Sequence, residues 1–88
     1  MLYEFDTNKD FSNRAKHGVS FAAVEAFEWD SALVRQDMRK TYSEPRFQAL
    51  GYMNERLYVM VFCFRGDTVR VISLRKANLR EVNDYAKT

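Results

Sequence analysis

Leu57-Tyr58-Val59-Met60-Val61-Phe62-Cys63-Phe64, the turn Arg65-Gly66-Asp67, and Thr68-Val69-Arg70-Val71-Ile72-Ser73-Leu74-Arg75 together decide the fold of this 88-residue chain. The first run is apolar at both parities, the pattern of a central strand covered on both faces. Gly66-Asp67 has the composition of a two-residue hairpin turn. The second run alternates. Val71, Ser73 and Arg75 fall on one face, and Arg70, Ile72 and Leu74 on the other. By that parity Arg70 and Arg75 point apart unless a bulge intervenes.

Towards the C-terminus, Asn78 and Glu81 have the spacing of a capping box, which starts a closing helix over Asn78–Lys87 with Tyr85 as a packing aromatic. Towards the N-terminus, Asn54-Glu55 reads as a turn. Arg46–Tyr52 alternates, with Arg46, Gln48 and Leu50 opposite Phe47 and Ala49. Pro45 stands at the start of that strand, where proline is tolerated. A polar stretch, Gln36–Tyr42, separates it from a short first strand, Ala32-Leu33-Val34. Asp6 or Thr7 can cap a first helix to about Lys16, with Phe11 and Ala15 on its buried face, and Lys16-His17-Gly18 stops it. Ser20 can cap a second helix to about Glu28, whose Phe21, Val24 and Phe27 face a sheet. The expectation is an α+β fold in one domain spanning residues 1–88: two N-terminal helices, an antiparallel four-stranded sheet and a C-terminal helix.

Composition narrows the chemistry. The net charge is +2, from 14 basic and 12 acidic residues. From Arg65 onward the cations Arg65, Arg70, Arg75, Lys76, Arg80 and Lys87 face only Asp67, Glu81 and Asp84, a field suited to a nucleic-acid phosphate or an acidic protein. A lone cysteine, Cys63, rules out a disulfide within the chain and reads as a small buried residue. One His and one Cys argue against a metal site, so no cofactor is expected. No apolar run is long enough to span a bilayer and the acidic start lacks a signal-peptide core, so the expected home is cytoplasmic.

Metal-free RNA cleavage needs a base for the ribose 2′-hydroxyl, an acid for the leaving 5′-oxygen, and cations for the pentacoordinate phosphate. Arg46 and Arg75, both at expected strand ends, suit the phosphate because a guanidinium grips it in bidentate fashion. Their other reading is surface ion pairing. Glu44, two residues before Arg46, is an acid or base beside that cation, or a local ion pair. His17 titrates near neutrality, and it also suits the end of a helix as a capping cation; Lys16 shares both readings. Lys76 and Arg80 are four apart and would share a helix face if the closing helix starts early. The alternative to an enzyme is a small basic module that binds RNA or protein without catalysis.

The motifs Phe5-Asp6 with Lys9 and Asn13, Lys16-His17-Gly18-Val19-Ser20-Phe21, Phe27 and Asp30, Glu44 with Arg46 and Gly51, and Arg70-Val71-Ile72-Ser73 with Arg75-Lys76-Ala77, Glu81 and Tyr85 occur in order along nearly the whole chain. In this the chain resembles the BrnT family of ribonuclease toxins of type II toxin–antitoxin pairs. The resemblance implies a RelE-like fold, metal-independent endoribonuclease activity that arrests growth, and neutralisation by a BrnA-type antitoxin. It implies contact with operator DNA only through that antitoxin, no membrane association, and room for a dimer within the complex. It implies Lys16, His17, Glu44, Arg46, Arg70, Arg75 and Lys76 as site candidates without assigning their jobs; read from the residue types, His17, Glu44, Arg46 and Arg75 are the expected catalytic residues, and Lys16, Arg70, Lys76 and Arg80 the expected substrate contacts.

Overall fold

The apolar run and the alternating run pair as expected through the tight turn, where Gly66 takes φ 62°. The computed structural model describes every residue from Met1 to Thr88. In chain order the elements are β1 (Leu2–Glu4), α1 (Thr7–His17), 3-10 segments at Phe21–Ala26 and Trp29–Ser31, β2 (Leu33–Gln36), β3 (Phe47–Met53), β4 (Arg56–Arg65), β5 (Thr68–Lys76) and α2 (Leu79–Ala86). The α+β class is as expected, but the sheet is not the four-stranded antiparallel one. Five strands lie in the order β1-β5-β4-β3-β2, and β1 runs parallel to β5 with Tyr3 opposite Val69. A three-residue strand is too short to show alternation, and the open edge of β5 is what recruits it.

The two N-terminal helices also differ from expectation. Asp6 caps α1 by accepting from the amides of Asn8 and Lys9, and Gly18 closes it at φ 73°. Its inward stripe, however, is polar. Phe11 is 64 % exposed and Ala15 is exposed, while Asp10 and Asn13 are buried. Asp10 accepts from the Phe21 amide at 2.8 Å. Asn13 donates to the carbonyls of Val19 (2.9 Å) and Leu74 (2.8 Å) and accepts from the Leu74 amide (3.1 Å). The Asn13 side chain thus pairs with β5 beyond the reach of β1, as a strand would.

The expected second α-helix is a 3-10 segment, capped by Ser20 Oγ accepting from the Ala22 amide. Phe21, Val24 and Phe27 recur every third residue, which suits three residues per turn and brings all of them into the core.

One sheet face forms the main core: Phe21, Val24 and Phe27 pack on Ala49, Met60, Phe62, Val69, Val71 and Leu74. Gly51 sits beneath the Phe27 ring, where an added Cβ would lie 2.6 Å from Cζ. Gly51→Ala is therefore expected to cost about 2 kcal/mol by overpacking, read as a lower midpoint in urea with an unchanged slope.

A bulge governs the other face. Val61 pairs with Ser73, but Phe62 pairs with Val71, so Ile72 is an extra residue in β5. Parity flips there. Val69, Val71 and Leu74 all point into the main core, and Arg70, Ser73 and Arg75 come to share the opposite face, as partners of Cys63, Val61 and Val59. The expectation that Arg70 and Arg75 lie on opposite faces is corrected by that one residue. On this second face a small cluster, Leu50, Leu57, Val59 and Ala77, is covered at one end by α2, whose Tyr85 hydroxyl donates to the Ser31 carbonyl at 2.6 Å. No helix is long and apolar enough to cross a membrane.

Candidate functional site

The second sheet face, between the start of α2 and the 37–46 loop, carries three of the cations singled out above: Arg70, Arg75 and Arg80. The bulge supplies Arg75 and Arg70. Arg75 grips Glu81 in bidentate fashion, both bonds at 2.8 Å. The Arg75 bridge is what holds the Glu81 carboxyl below its usual range, and it raises Arg75 in turn. Glu81 also closes the expected capping box with Asn78, so one carboxylate ties the end of β5 to the start of α2.

Asp10, Asn13 and His17 fall on one stripe of α1, at spacings of three and four. Because Asn13 is bonded to Leu74, the last turn of the helix sits beside the Leu74–Lys76 end of β5. Lys16 is exposed there and His17 half-buried. Partial burial lowers the His17 pKa below its ordinary 6.5, and the positive charges of Lys16 and Arg75 lower it further. That shift favours the neutral imidazole over the capping cation.

Glu44 lies elsewhere. It precedes β3, not within it, and its partners are the Arg65 guanidinium at 2.9 Å and the Cys63 thiol at 3.4 Å, rather than Arg46. The thiol's hydrogen bond, then Arg65, holds Glu44 in its ionised form, while burial pushes the Cys63 thiol up and keeps it protonated. Arg70 bridges to Glu4 at 2.8 Å on the same face. This second cluster is displaced along β4 by the four positions from Val59 to Cys63, roughly 13 Å at strand rise.

Arg46 is in neither cluster. Its guanidinium stacks on Tyr42, 4.3 Å from the ring centroid, at the wall of a cavity in the 37–46 loop. Lys76 ends β5 and is exposed, and α2 begins only at Leu79, so Lys76 and Arg80 share no helix face. The structure thus places Arg75 and Arg80 towards one end of the second sheet face and Glu44 and Arg70 towards the other; Lys76, the partner of Tyr58, has the opposite parity to Arg75, Lys16 and His17 stand in the last turn of α1, and Arg46 is on the loop.

Sequence reasoning passed over Arg35, Arg39 and Gln48. Arg39 is fixed by the buried Asp37 through bonds of 2.9 and 2.7 Å, and Asp37 is ionised because that guanidinium is its first partner. Arg35 and Gln48 are cross-strand neighbours on β2 and β3 and line a groove of about 350 Å3 with Arg80, Glu81 and the apolar Leu33, Leu50 and Val59. The shared strand face of Gln48 and Leu50 was the only sequence signal for this groove; the β2 register that brings Arg35 beside Gln48 is a tertiary fact.

A family model described as "Ribonuclease toxin, BrnT, of type II toxin-antitoxin system" matches residues 5–81. A search of the curated proteins gives no match.

Proposed function

This chain belongs to the BrnT family of type II toxin–antitoxin ribonucleases, and we propose that it breaks the RNA strand without a metal at the α2 end of the second sheet face. As a member of that family it is an endoribonuclease, with RNA as substrate and an antitoxin as partner. This rules against the reading as a non-catalytic binding module. The observation that carries the proposed site is the Ile72 bulge, which turns Arg75 towards Glu81 and into the field of His17.

In the proposed reaction, neutral His17 accepts the proton of the ribose 2′-hydroxyl. The 2′-oxygen attacks the adjacent phosphorus and the bond to the 5′-oxygen breaks; that oxygen takes a proton from water, leaving a 2′,3′-cyclic phosphate and a 5′-hydroxyl, and His17 gives the proton it accepted back to the solvent. Arg75, oriented by Glu81, stabilises the extra charge of the pentacoordinate phosphorus. Lys16, Lys76 and Arg80 hold neighbouring phosphates, and Arg70 one further along the strand. Glu44, ionised and displaced from Arg75, positions Arg65 rather than moving protons, and Glu4 positions Arg70. Arg46 contacts RNA at the loop. The partner fitting this family is a BrnA-type antitoxin, which would carry the complex to operator DNA, as a dimer of pairs, in the cytoplasm.

Cleavage of a short RNA in EDTA, followed by end-group analysis, tests this reading. Activity should persist and give cyclic phosphate ends; strict dependence on added Mg2+ overturns metal independence. The pH profile tests the base. A depressed pKa leaves more imidazole in its proton-accepting form at any acidic pH, so the acidic limb of kcat/KM should have its midpoint below 6.5. His17→Gln should remove that limb and slow cleavage by about 10²-fold. An unaltered limb in a variant that melts like the parent would assign the proton transfer to another group.

A further inference from the structure

The groove beside Arg75 has features that strand scission alone does not require. Its floor is apolar, from Leu33, Leu50 and Val59, and its polar walls carry Arg35, Gln48, Asn78 and Arg80 together with two carboxylates, Asp84 and the Glu81 that Arg75 already holds. Five of the chain's arginines are in ion pairs: Arg14, Arg39, Arg65, Arg70 and Arg75. Arg35 and Arg80 make none, and both stand over this groove, so two guanidiniums face it with their donors unengaged. The groove is also continuous with a basic track. Arg35 and Gln48 line the next hollow together with Arg39, and Arg39 lines a third with Lys40 and Arg46. A run of cations beside an apolar shelf matches a single RNA strand, whose bases stack on apolar surfaces while its phosphates seek positive charge.

We propose that this groove is a nucleotide subsite. One unpaired base of the RNA lies on Leu33, Leu50 and Val59, and Gln48 hydrogen-bonds its edge. Arg35 and Arg80 hold the phosphates on either side, and the strand continues past Arg39 and Lys40. Val59 is the cross-strand partner of Arg75, and Glu81, which Arg75 grips, is part of the wall. The base in the groove is therefore adjacent to the phosphate at Arg75, so Gln48 is positioned to bias which phosphodiester is cut. The inference rests on the catalytic reading above.

Binding and cleavage separate the two. The probe is a fluorescent eleven-residue oligodeoxyribonucleotide, roughly long enough to follow the groove and track; without 2′-hydroxyls it cannot be cut. Arg35→Gln should weaken its binding about tenfold, the loss of one charge-assisted contact, and should flatten the slope of log K against log salt by about 0.7. Arg80→Gln should do the same, and its exposed position guards against misfolding of the first variant. Gln48→Leu should keep the salt slope and, on a mixed-sequence RNA, redistribute the cut sites. Parental affinity and slope in both arginine variants, or an unaltered cut pattern in a folded Gln48→Leu protein, overturns the subsite. If His17→Gln leaves cleavage intact while the arginine variants bind weakly, the proposed catalytic base fails and the subsite stands.

Discussion

Asn13→Ala is expected to lower the stability of the fold by about 3 kcal/mol, the largest loss anticipated for any single polar side chain here. Asn13 is 6 % exposed and makes three hydrogen bonds, all to main-chain groups. Truncation strands the Leu74 amide, the Leu74 carbonyl and the Val19 carbonyl, and an unmet buried polar group costs roughly 1–3 kcal/mol. Water entering the gap recovers part of that, which is why the sum is set at its low end. For a chain of this size the shift corresponds to a fall in Tm of roughly 15 °C. A fall below about 3 °C would mean that β5 holds its edge without α1. Because the same bonds place the last turn of α1 beside Arg75, the variant should also lose cleavage at temperatures where it remains folded. Asn13→Asp keeps the acceptor for the Leu74 amide but turns a buried carboxylate oxygen towards the Val19 and Leu74 carbonyls, and should be at least as destabilising as the alanine variant at neutral pH.

That residue shows where the sequence was legible and where it was not. The β4–β5 hairpin, β3 and α2 were readable because each carries its own signal: an apolar run, a Gly turn, strict alternation, a capping box. They are local patterns, and the tertiary fold agrees with them. The boundaries of α1 were equally plain in Asp6 and Gly18, yet its orientation was not. Phe11 and Ala15 suggested an apolar inward face, but the helix is anchored by Asp10 and Asn13, whose partners lie eleven and sixty-one residues away in sequence. No periodicity reports a bond of that kind. The bulge at Ile72 is similar: nothing within Arg70–Arg75 marks the extra residue, and the register against β4 decides it. The site inherits the same limit. Arg75, His17 and Arg80 could be picked out as residue types, but the face Arg75 takes depends on the bulge, and the placement of the helix turn that carries His17 depends on Asn13. Arg35 and Gln48 carried no signal because only the β2–β3 register makes them neighbours. Glu44 and Arg46 misled for the opposite reason, since proximity in sequence suggested a pair that the loop geometry separates.

Arg75→Ala is expected to reduce RNA cleavage by 10²–10³-fold, the loss typical of removing one preorganised donor from a charged transition state. The competing account makes Arg75 a strut. It grips Glu81 at 2.8 Å through both terminal nitrogens, so its removal could act by loosening α2 alone. The two accounts differ in what they predict for Glu81. The side chains of the pair are 35 % and 25 % exposed, and a bridge so open to water is worth at most about 1 kcal/mol. Asn78 still accepts from the Glu81 amide when the carboxylate is gone, so α2 keeps half of its cap. Under the strut account, Glu81→Gln and Arg75→Ala should lower Tm by a similar few degrees and leave cleavage almost unchanged. Under the catalytic account the losses of stability remain small and alike, but cleavage divides. Arg75→Ala removes the charge that faces the phosphate, whereas Glu81→Gln leaves that charge in place and costs only its orientation, roughly tenfold. Arg75→Lys discriminates further, because it keeps the charge without the fork and should recover only part of the activity. Equal cleavage by all of these proteins at parental melting temperature would remove Arg75 from the reaction, and with it the significance of the bulge that turns it to this face.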